Sequence, residues 1–176
     1  DLRTLSAQNL RRRLRTLSSV QAPKVWVEGI NAVHLAGNNY LGLADHPLVA
    51  ACASEAAHRW GTGAAASPLV SGYMEPHEQL SEMLARFKEK EASILFGSGY
   101  WGNTGLIASR AGKGDVVLSD ALNHASIVDG CRLSRAKVYI FPHGNMNVLE
   151  DGLRQAGDAR RRLIVVDGVF SMDGDL

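Results

Sequence analysis

A chain of 176 residues fits one domain and is long enough to bury a substantial core. With 45% apolar residues and a net charge of +1, nothing in the composition calls for a nucleic-acid or membrane partner, and no apolar run approaches bilayer length. Cys52 and Cys131 lie far apart without paired spacing, which argues against a disulfide framework or a zinc knuckle.

The polar N-terminus is unlike a signal peptide, so a reducing, cytoplasmic setting is expected. The sequence begins without Met and stops soon after a strand-like run, so a segment of a longer protein is expected. Residues 2–17 read as a basic amphipathic helix, apolar at Leu2, Leu5, Leu10, Leu14 and Leu17. Its cluster Arg11-Arg12-Arg13-Leu14-Arg15 is either a solvated face or a clamp for an anionic substrate tail. Residues 25–35 alternate around Glu28-Gly29-Ile30-Asn31 and predict a hairpin.

A turn-rich loop, Asn38-Asn39-Tyr40-Leu41-Gly42, follows. His46-Pro47 opens a helix to about Trp60, with Pro47 in its first turn. Residues 61–72 are small and glycine-rich yet too apolar for a flexible linker; a loop packed near a site or a subunit contact is expected. Residues 75–90 predict an amphipathic helix with Leu80, Met83, Leu84 and Phe87 on one face.

From there strands at 93–96, 116–119, 138–141 and 163–166 alternate with helices at 100–111, 124–133 and 148–156. That alternation predicts an α/β fold with a parallel sheet covered on both faces. In such sheets ligands gather beyond the carboxyl ends of the strands, where three polar segments fall. The first, Gly97-Ser98-Gly99-Tyr100-Trp101-Gly102, matches G-x-G-x-x-G between a strand and a helix. A helix N-terminus reached through glycines is an anion site suited to phosphate.

Asp120 stands near where a ribose-binding acid would lie, so an NAD(P)-binding oxidoreductase domain is one reading. Bulky Tyr100 and Trp101 are awkward against a pyrophosphate and better suited to a single phosphate. Phe96 occupies the place where a nucleophile elbow needs its first glycine.

The second segment, Asp120-Ala121-Leu122-Asn123-His124-Ala125-Ser126, presents a histidine where a βα loop opens, with small residues leaving room above its face. It reads as a stacking residue for a flat heteroaromatic cofactor, as a core histidine bonded to a carbonyl, or, paired with Asp120, as a metal ligand. No further ligands cluster near it in sequence, so no metal is expected. In the third segment, Asp167 to Asp175, Asp167 and Ser171 could orient a phenolic oxygen or simply cap a turn.

Taken in order, Asn38-Asn39-Tyr40-Leu41-Gly42-Leu43, Gly61-Thr62-Gly63, Ser98-Gly99-Tyr100, the His124 segment and the Asp167 segment resemble the α-oxoamine synthase family of fold type I pyridoxal-phosphate enzymes. The resemblance implies an N-terminal helix and hairpin (residues 1–37) followed by part of the large, mostly parallel-sheet domain (residues 38–176). It implies pyridoxal 5'-phosphate as cofactor and a homodimer. The implied reaction is decarboxylative condensation of an amino acid with an acyl-CoA, releasing carbon dioxide.

Residues 61–73 lean toward members using alanine and pimeloyl-CoA, while residues 120–130 resemble equally those using glycine and acetyl-CoA. By the same resemblance Ser98, Gly99 and Tyr100 would contact the cofactor, and His124 would stack on its ring, seat the amino acid and help in proton handling. Ser171 would bond the phenolic side with Asp167 close by, Asn39 would lie near the substrate carboxylate, and Arg11 near the acyl-CoA. The family's Schiff-base Lys and pyridinium Asp have no counterpart among these residues, Lys113 and Lys137 lying in other contexts. The segment alone is expected to be inert. Position 167 is Asp where some members have Glu.

Overall fold

A computed structural model describes every residue except Asp173 and Leu176. The chain forms two compact units, residues 1–74 and residues 75–176.

In the first unit, helix α1 covers only Leu2–Ala7, its N-terminus capped by Asp1, which accepts from the N–H groups of Arg3 and Thr4 at 2.8 and 2.9 Å. The helix expected to run to residue 17 stops there, and Asn9 takes a left-handed φ of 56°. Arg11 and Arg15, one turn apart, would repel on a helix, and Leu10 and Leu14 are exposed, with no apolar surface to cover. A helix without a packed face is marginal in water.

Leu17 instead bridges Val27 of strand β1 (Lys24–Val27), and Ser18 N–H donates to Trp26 O at 2.9 Å. Strand β2 (Ile30–Val33) pairs antiparallel with β1. Glu28 and Gly29 between them have φ of 50° and 81°, the two left-handed residues of a type I′ hairpin turn. Helix α2 spans Pro47–Trp60 with Pro47 in its first turn, as the sequence predicts, and ends at Gly61 with φ 81°. Pro68–Gly72 wind into one π-helical turn, where a Cβ on Gly72 would stand 1.9 Å from the Ala66 carbonyl oxygen.

The second unit opens with α3 (Glu75–Phe87). Residues 93–96 are not a strand: Ser93 is held to α3 instead, its hydroxyl donating to Ser81 O while Ser81 Oγ donates to Ser93 O, both at 2.8 Å. Central strand β3 (Val116–Asp120) has its two edges taken by β4 (Lys137–Phe141) and β5 (Arg162–Val165), both parallel, in the order β4-β3-β5. Helices α4 (Gly99–Arg110), α5 (Ala125–Ser134) and α6 (Met146–Gln155) connect and cover them.

Alternate residues of β3 serve opposite faces. Val117 packs with Ile107, Ile127 and Cys131 of α4 and α5, and Val116 and Leu118 pack with Phe141 and, from α6, Leu149 and Leu153. This is the doubly covered parallel α/β sheet expected from the sequence. Gly130 admits the close approach of α5 to α4, since a Cβ there would lie 3.0 Å from Asn103 O.

At the N-terminal end of β3, buried Asp115 takes two hydrogen bonds from Arg160, Nε at 2.8 Å and Nη2 at 2.7 Å, and one from Gly112 N–H at 2.8 Å. The Arg160 bonds, with the Gly112 N–H, outweigh burial and hold the Asp115 carboxyl down at about 2, against 3.8 ordinarily. A carboxyl whose folded pKa is depressed stabilises the fold fully above its unfolded value and loses that contribution as pH falls through the folded one. Urea titrations of the full-length protein should therefore show unfolding free energy dropping as pH falls from 3.8 toward about 2. The slope should be shallower in Asp115→Asn, which should also be less stable at neutral pH.

Candidate cofactor-binding site

Three loops meet at the carboxyl ends of the strands, and a buried amide ties two of them. Asn123, between β3 and α5, donates from Nδ2 to Ser119 Oγ at 2.9 Å and to Val165 O at 2.7 Å. Its Oδ1 accepts from Asp167 N–H at 2.9 Å. The Asp167 carboxylate answers by accepting from His124 N–H at 2.7 Å. The end of β5 is thereby fixed to the turn that carries His124.

His124 is the N-cap of α5. Its Nδ1 accepts from Ser126 N–H at 3.2 Å and lies 2.7 Å from Ser126 Oγ. That hydroxyl already accepts from Asn103 Nδ2 at 2.9 Å, so its proton points to His124 Nδ1. Nδ1 is thus an acceptor, and in the neutral ring the proton resides on Nε2. The ring is exposed, beside the exposed Ala121 and Ala125. A histidine buried in the core and donating to a carbonyl is not what the structure shows.

The N-terminus of α4 is capped by Ser98, whose Oγ accepts from Trp101 N–H at 3.3 Å. Helix geometry leaves the N–H groups of Gly99 and Tyr100 without intrahelical partners. A Cβ built on Gly97 or Gly99 would meet nothing within 4 Å, so the approach is open. Tyr100 lies on the same turn, but its hydroxyl is engaged, donating to Asp129 Oδ2 of α5 at 2.5 Å. That bond holds the phenol proton on, raising the Tyr100 pKa, and together with Arg132 it lowers that of Asp129. With Asn103 and Ser126 it locks α4 to α5, and so Ser98 and Gly99 to His124.

Asp120 is buried at the tip of β3. It accepts from Leu122 N–H at 2.8 Å and lies 3.1 Å from His143 Nδ1. This weighs against the dinucleotide reading, which needs an acid free to meet a ribose. It also weighs against a metal on Asp120 and His124, and no cluster of three or more metal-ligating side chains occurs among the described residues. Ser171 is exposed at the start of a turn that Phe170 and Asp175 close, Phe170 N–H donating to Asp175 O at 2.8 Å.

In the first unit, Arg11 is exposed and lies past the end of α1 rather than on a helix. Asn39 ties its loop to the segment before β1, donating to Gln21 O at 3.0 Å, and accepts from Ala44 N–H at 3.1 Å.

Sequence reasoning passes over three supporting residues, Asn123, Asp129 and His143. Asn123 and His143 each follow a strand end, the position from which parallel sheets recruit site residues. Asp129 carries no such signal, since its partner lies 29 positions away.

A parallel sheet with an open helix N-terminus and a fixed histidine beyond its strand ends defines an α/β protein whose strand ends suit an anionic ligand. Residues 30–176 match the aminotransferase class I and II family, and the chain belongs to that family. The 8-amino-7-oxononanoate synthase of Geobacter sulfurreducens is 56% identical over 176 residues, which is 100% of this chain and 45% of that protein. The serine palmitoyltransferase of Sphingomonas wittichii superposes with a TM-score of 0.90 at 32% identity, over 99% of this chain and 44% of that one. SPT with a PLP internal aldimine also superposes with a TM-score of 0.90, at 30% identity, over 99% of this chain and 44% of that one. The chain thus spans less than half the length of these relatives.

Asn123→Ala should leave the part-buried Val165 O and Asp167 N–H without their partner, at a cost of about 0.5–1.5 kcal/mol for each hydrogen bond lost. Asn123→Asp should be no better, because a carboxylate cannot donate to Val165 O or Ser119. Chemical denaturation of the full-length protein would measure both.

Proposed function

We infer that the protein is a pyridoxal-phosphate-dependent C-acyltransferase that condenses L-alanine with pimeloyl-CoA. The products are 8-amino-7-oxononanoate, CoA and carbon dioxide, a step of biotin synthesis. The observation that carries this reading is the exposed His124 ring, fixed by Ser126 and Asp167 next to an open, glycine-approached helix N-terminus. The 56% identity to a synthase of that name, across the whole chain, supports the choice within the family.

The residues present fit the cofactor. The N–H groups of Gly99 and Tyr100, with the Ser98 cap, suit the phosphate. The exposed face of His124 suits a heteroaromatic ring, a contact that contributes about 0.5–1.5 kcal/mol beyond burial. Ser171, exposed on its turn, would bond the phenolic side, with Asp167 holding the His124 backbone beside it. Once bound, pyridoxal phosphate supplies the electron sink for bond breaking at the α-carbon of the amino acid.

With Nδ1 engaged by Ser126, His124 offers Nε2–H toward substrate. It can donate there to the amino acid's carboxylate or pass a proton in the condensation. Asn39 keeps its second amide hydrogen free for a substrate carboxylate, and Arg11 would meet the phosphates of the acyl-CoA.

The family's lysine anchor matches no residue of this chain, so residues 1–176 alone would be inert and the active species a longer polypeptide. A homodimer is part of the reading, with the exposed Leu69 and Val70 of the π-helical turn as contact residues. An acyl-CoA substrate and the free thiols Cys52 and Cys131 fit a cytoplasmic setting. Among the described residues no helix is long and apolar enough to cross a membrane.

Glycine C-acetyltransferase is the second reading, favoured by the likeness of residues 120–130 to that enzyme. CoA release by the full-length protein, with alanine or glycine against pimeloyl-CoA or acetyl-CoA, separates the two. Turnover with alanine and pimeloyl-CoA is expected. Preferred turnover of glycine with acetyl-CoA would establish the second reading, and no turnover with any pair would sink both. His124→Ala should lower kcat by about 10²-fold or more, the range for a lost proton-transfer group.

A further inference from the structure

We propose that His143 is a positioning residue that pins the turn carrying Ser171 to the end of β3. The proposal rests on the cofactor reading of Ser171 and His124 given above.

His143 lies just beyond β4 and is not among the groups assigned a cofactor or substrate contact. Its Nδ1 is 3.1 Å from both carboxylate oxygens of Asp120, and its Nε2 is 3.5 Å from Asp175 Oδ2. The side chain of Asp120 is 3% exposed, that of His143 25% and that of Asp175 60%, so the ring links a buried anchor to a surface turn. Its edge packs on the buried ring of Phe170, with centroids 4.3 Å apart and planes at 67°.

Phe170 and Asp175 are the two ends of the turn, joined by Phe170 N–H to Asp175 O at 2.8 Å and closed by Gly174 N–H to Phe170 O at 2.7 Å. One imidazole therefore touches both ends of the segment that presents Ser171: its ring packs on Phe170, and its Nε2 faces Asp175, a contact that is an ion pair in the protonated ring. Its other nitrogen holds the residue from which the His124 loop starts.

The backbone supports the placement. Gly144, at φ 66°, turns the chain so that its N–H also reaches Asp120 Oδ2, at 3.4 Å. Asp120 thus collects the Leu122 N–H, the Gly144 N–H and the imidazole, which accounts for a carboxylate buried, among the described residues, without an ion pair to Lys or Arg. Asn123 fixes the start of the post-β5 loop at Asp167, and His143 fixes its far end. Ser171 lies between these two tethers. A misplacement of about 1 Å in a positioning element can cost about 10²-fold in rate.

The test uses the full-length protein carrying His143→Asn, which can keep the Nδ1-side bond to Asp120, His143→Ala, which keeps neither, and Asp175→Ala, which removes the Nε2-side contact and leaves the histidine in place. Hydrogen exchange of residues 168–175 in the cofactor-free protein is the first readout. Pyridoxal-phosphate affinity and circular dichroism of the bound cofactor form the second, and kcat against KM the third.

Faster exchange confined to that turn is expected in His143→Ala and Asp175→Ala. With it should come an altered cofactor dichroism and a kcat lowered about tenfold to 10²-fold at near-constant KM, with partial recovery in His143→Asn. Unchanged exchange in both Asp175→Ala and His143→Ala would overturn the tether. Faster exchange with unaltered cofactor dichroism and kcat would overturn the positioning role. Failure of the wild-type protein to bind pyridoxal phosphate would instead defeat the cofactor reading, while the exchange experiment on the cofactor-free protein still decides the tether.

Discussion

A side-chain amide buried at the end of a doubly covered strand cannot fall back on water, so its three strong hydrogen bonds must all be made by protein. Asn123 meets that constraint by reaching Ser119, Val165 O and Asp167 N–H, and much of the site's geometry follows. Val165 ends β5, so the strand and the β3–α5 loop cannot separate without breaking the Asn123 bonds to Val165 O and from Asp167 N–H. Asp167 is then held where its carboxylate receives His124 N–H. His124 in turn is placed to cap α5. The pose of the exposed ring is a consequence of hydrogen-bond satisfaction in the layer beneath it.

The sheet supplies the rigidity that such a chain of contacts needs. Val117 and Leu118 of β3 pack into cores on opposite faces, so the strand cannot slide without emptying one of them. Tyr100–Asp129 and Asn103–Ser126 bridge α4 and α5 near their N-termini, where Gly130 lets the helices meet closely. Two helix N-termini are thereby registered against each other, one offering N–H groups at Gly99 and Tyr100 and the other a capped histidine. An anion and a flat ring held by one ligand would need such a registered pair.

Much of this was legible in the sequence because local rules and the global fold agree along residues 99–165. Short apolar strands alternate with helices, Ser98 and Asn145 stand where caps belong, and Pro47 opens α2. Two elements misled. The leucine spacing of residues 2–17 is helical, but spacing alone does not supply a surface to pack on, and four arginines in five positions oppose winding. Residues 93–96 have a strand's composition, but they join neither edge of the β4-β3-β5 sheet, Ser93 being held to Ser81 of α3 instead, and pairing needs a partner more than it needs propensity. The supporting residues were illegible for a related reason: Asp129, Asn123 and His143 act through partners 20 or more positions away, and periodicity carries no information at that range.

The glycine motif shows how a spacing can be real and its usual meaning absent. Gly97, Gly99 and Gly102 satisfy the dinucleotide pattern, and Asp120 stands at a plausible interval. What decides between ligands is the state of that acid. A ribose-binding carboxylate must be free at the surface, whereas Asp120 is buried and shared among Leu122, His143 and Gly144. Removing it to meet a ribose would strip the anchor from His143 and from the turn of Ser171. The same carboxylate that spacing nominates for a ligand serves the architecture instead, while the N–H groups at the start of α4 and the exposed ring of His124 stay open.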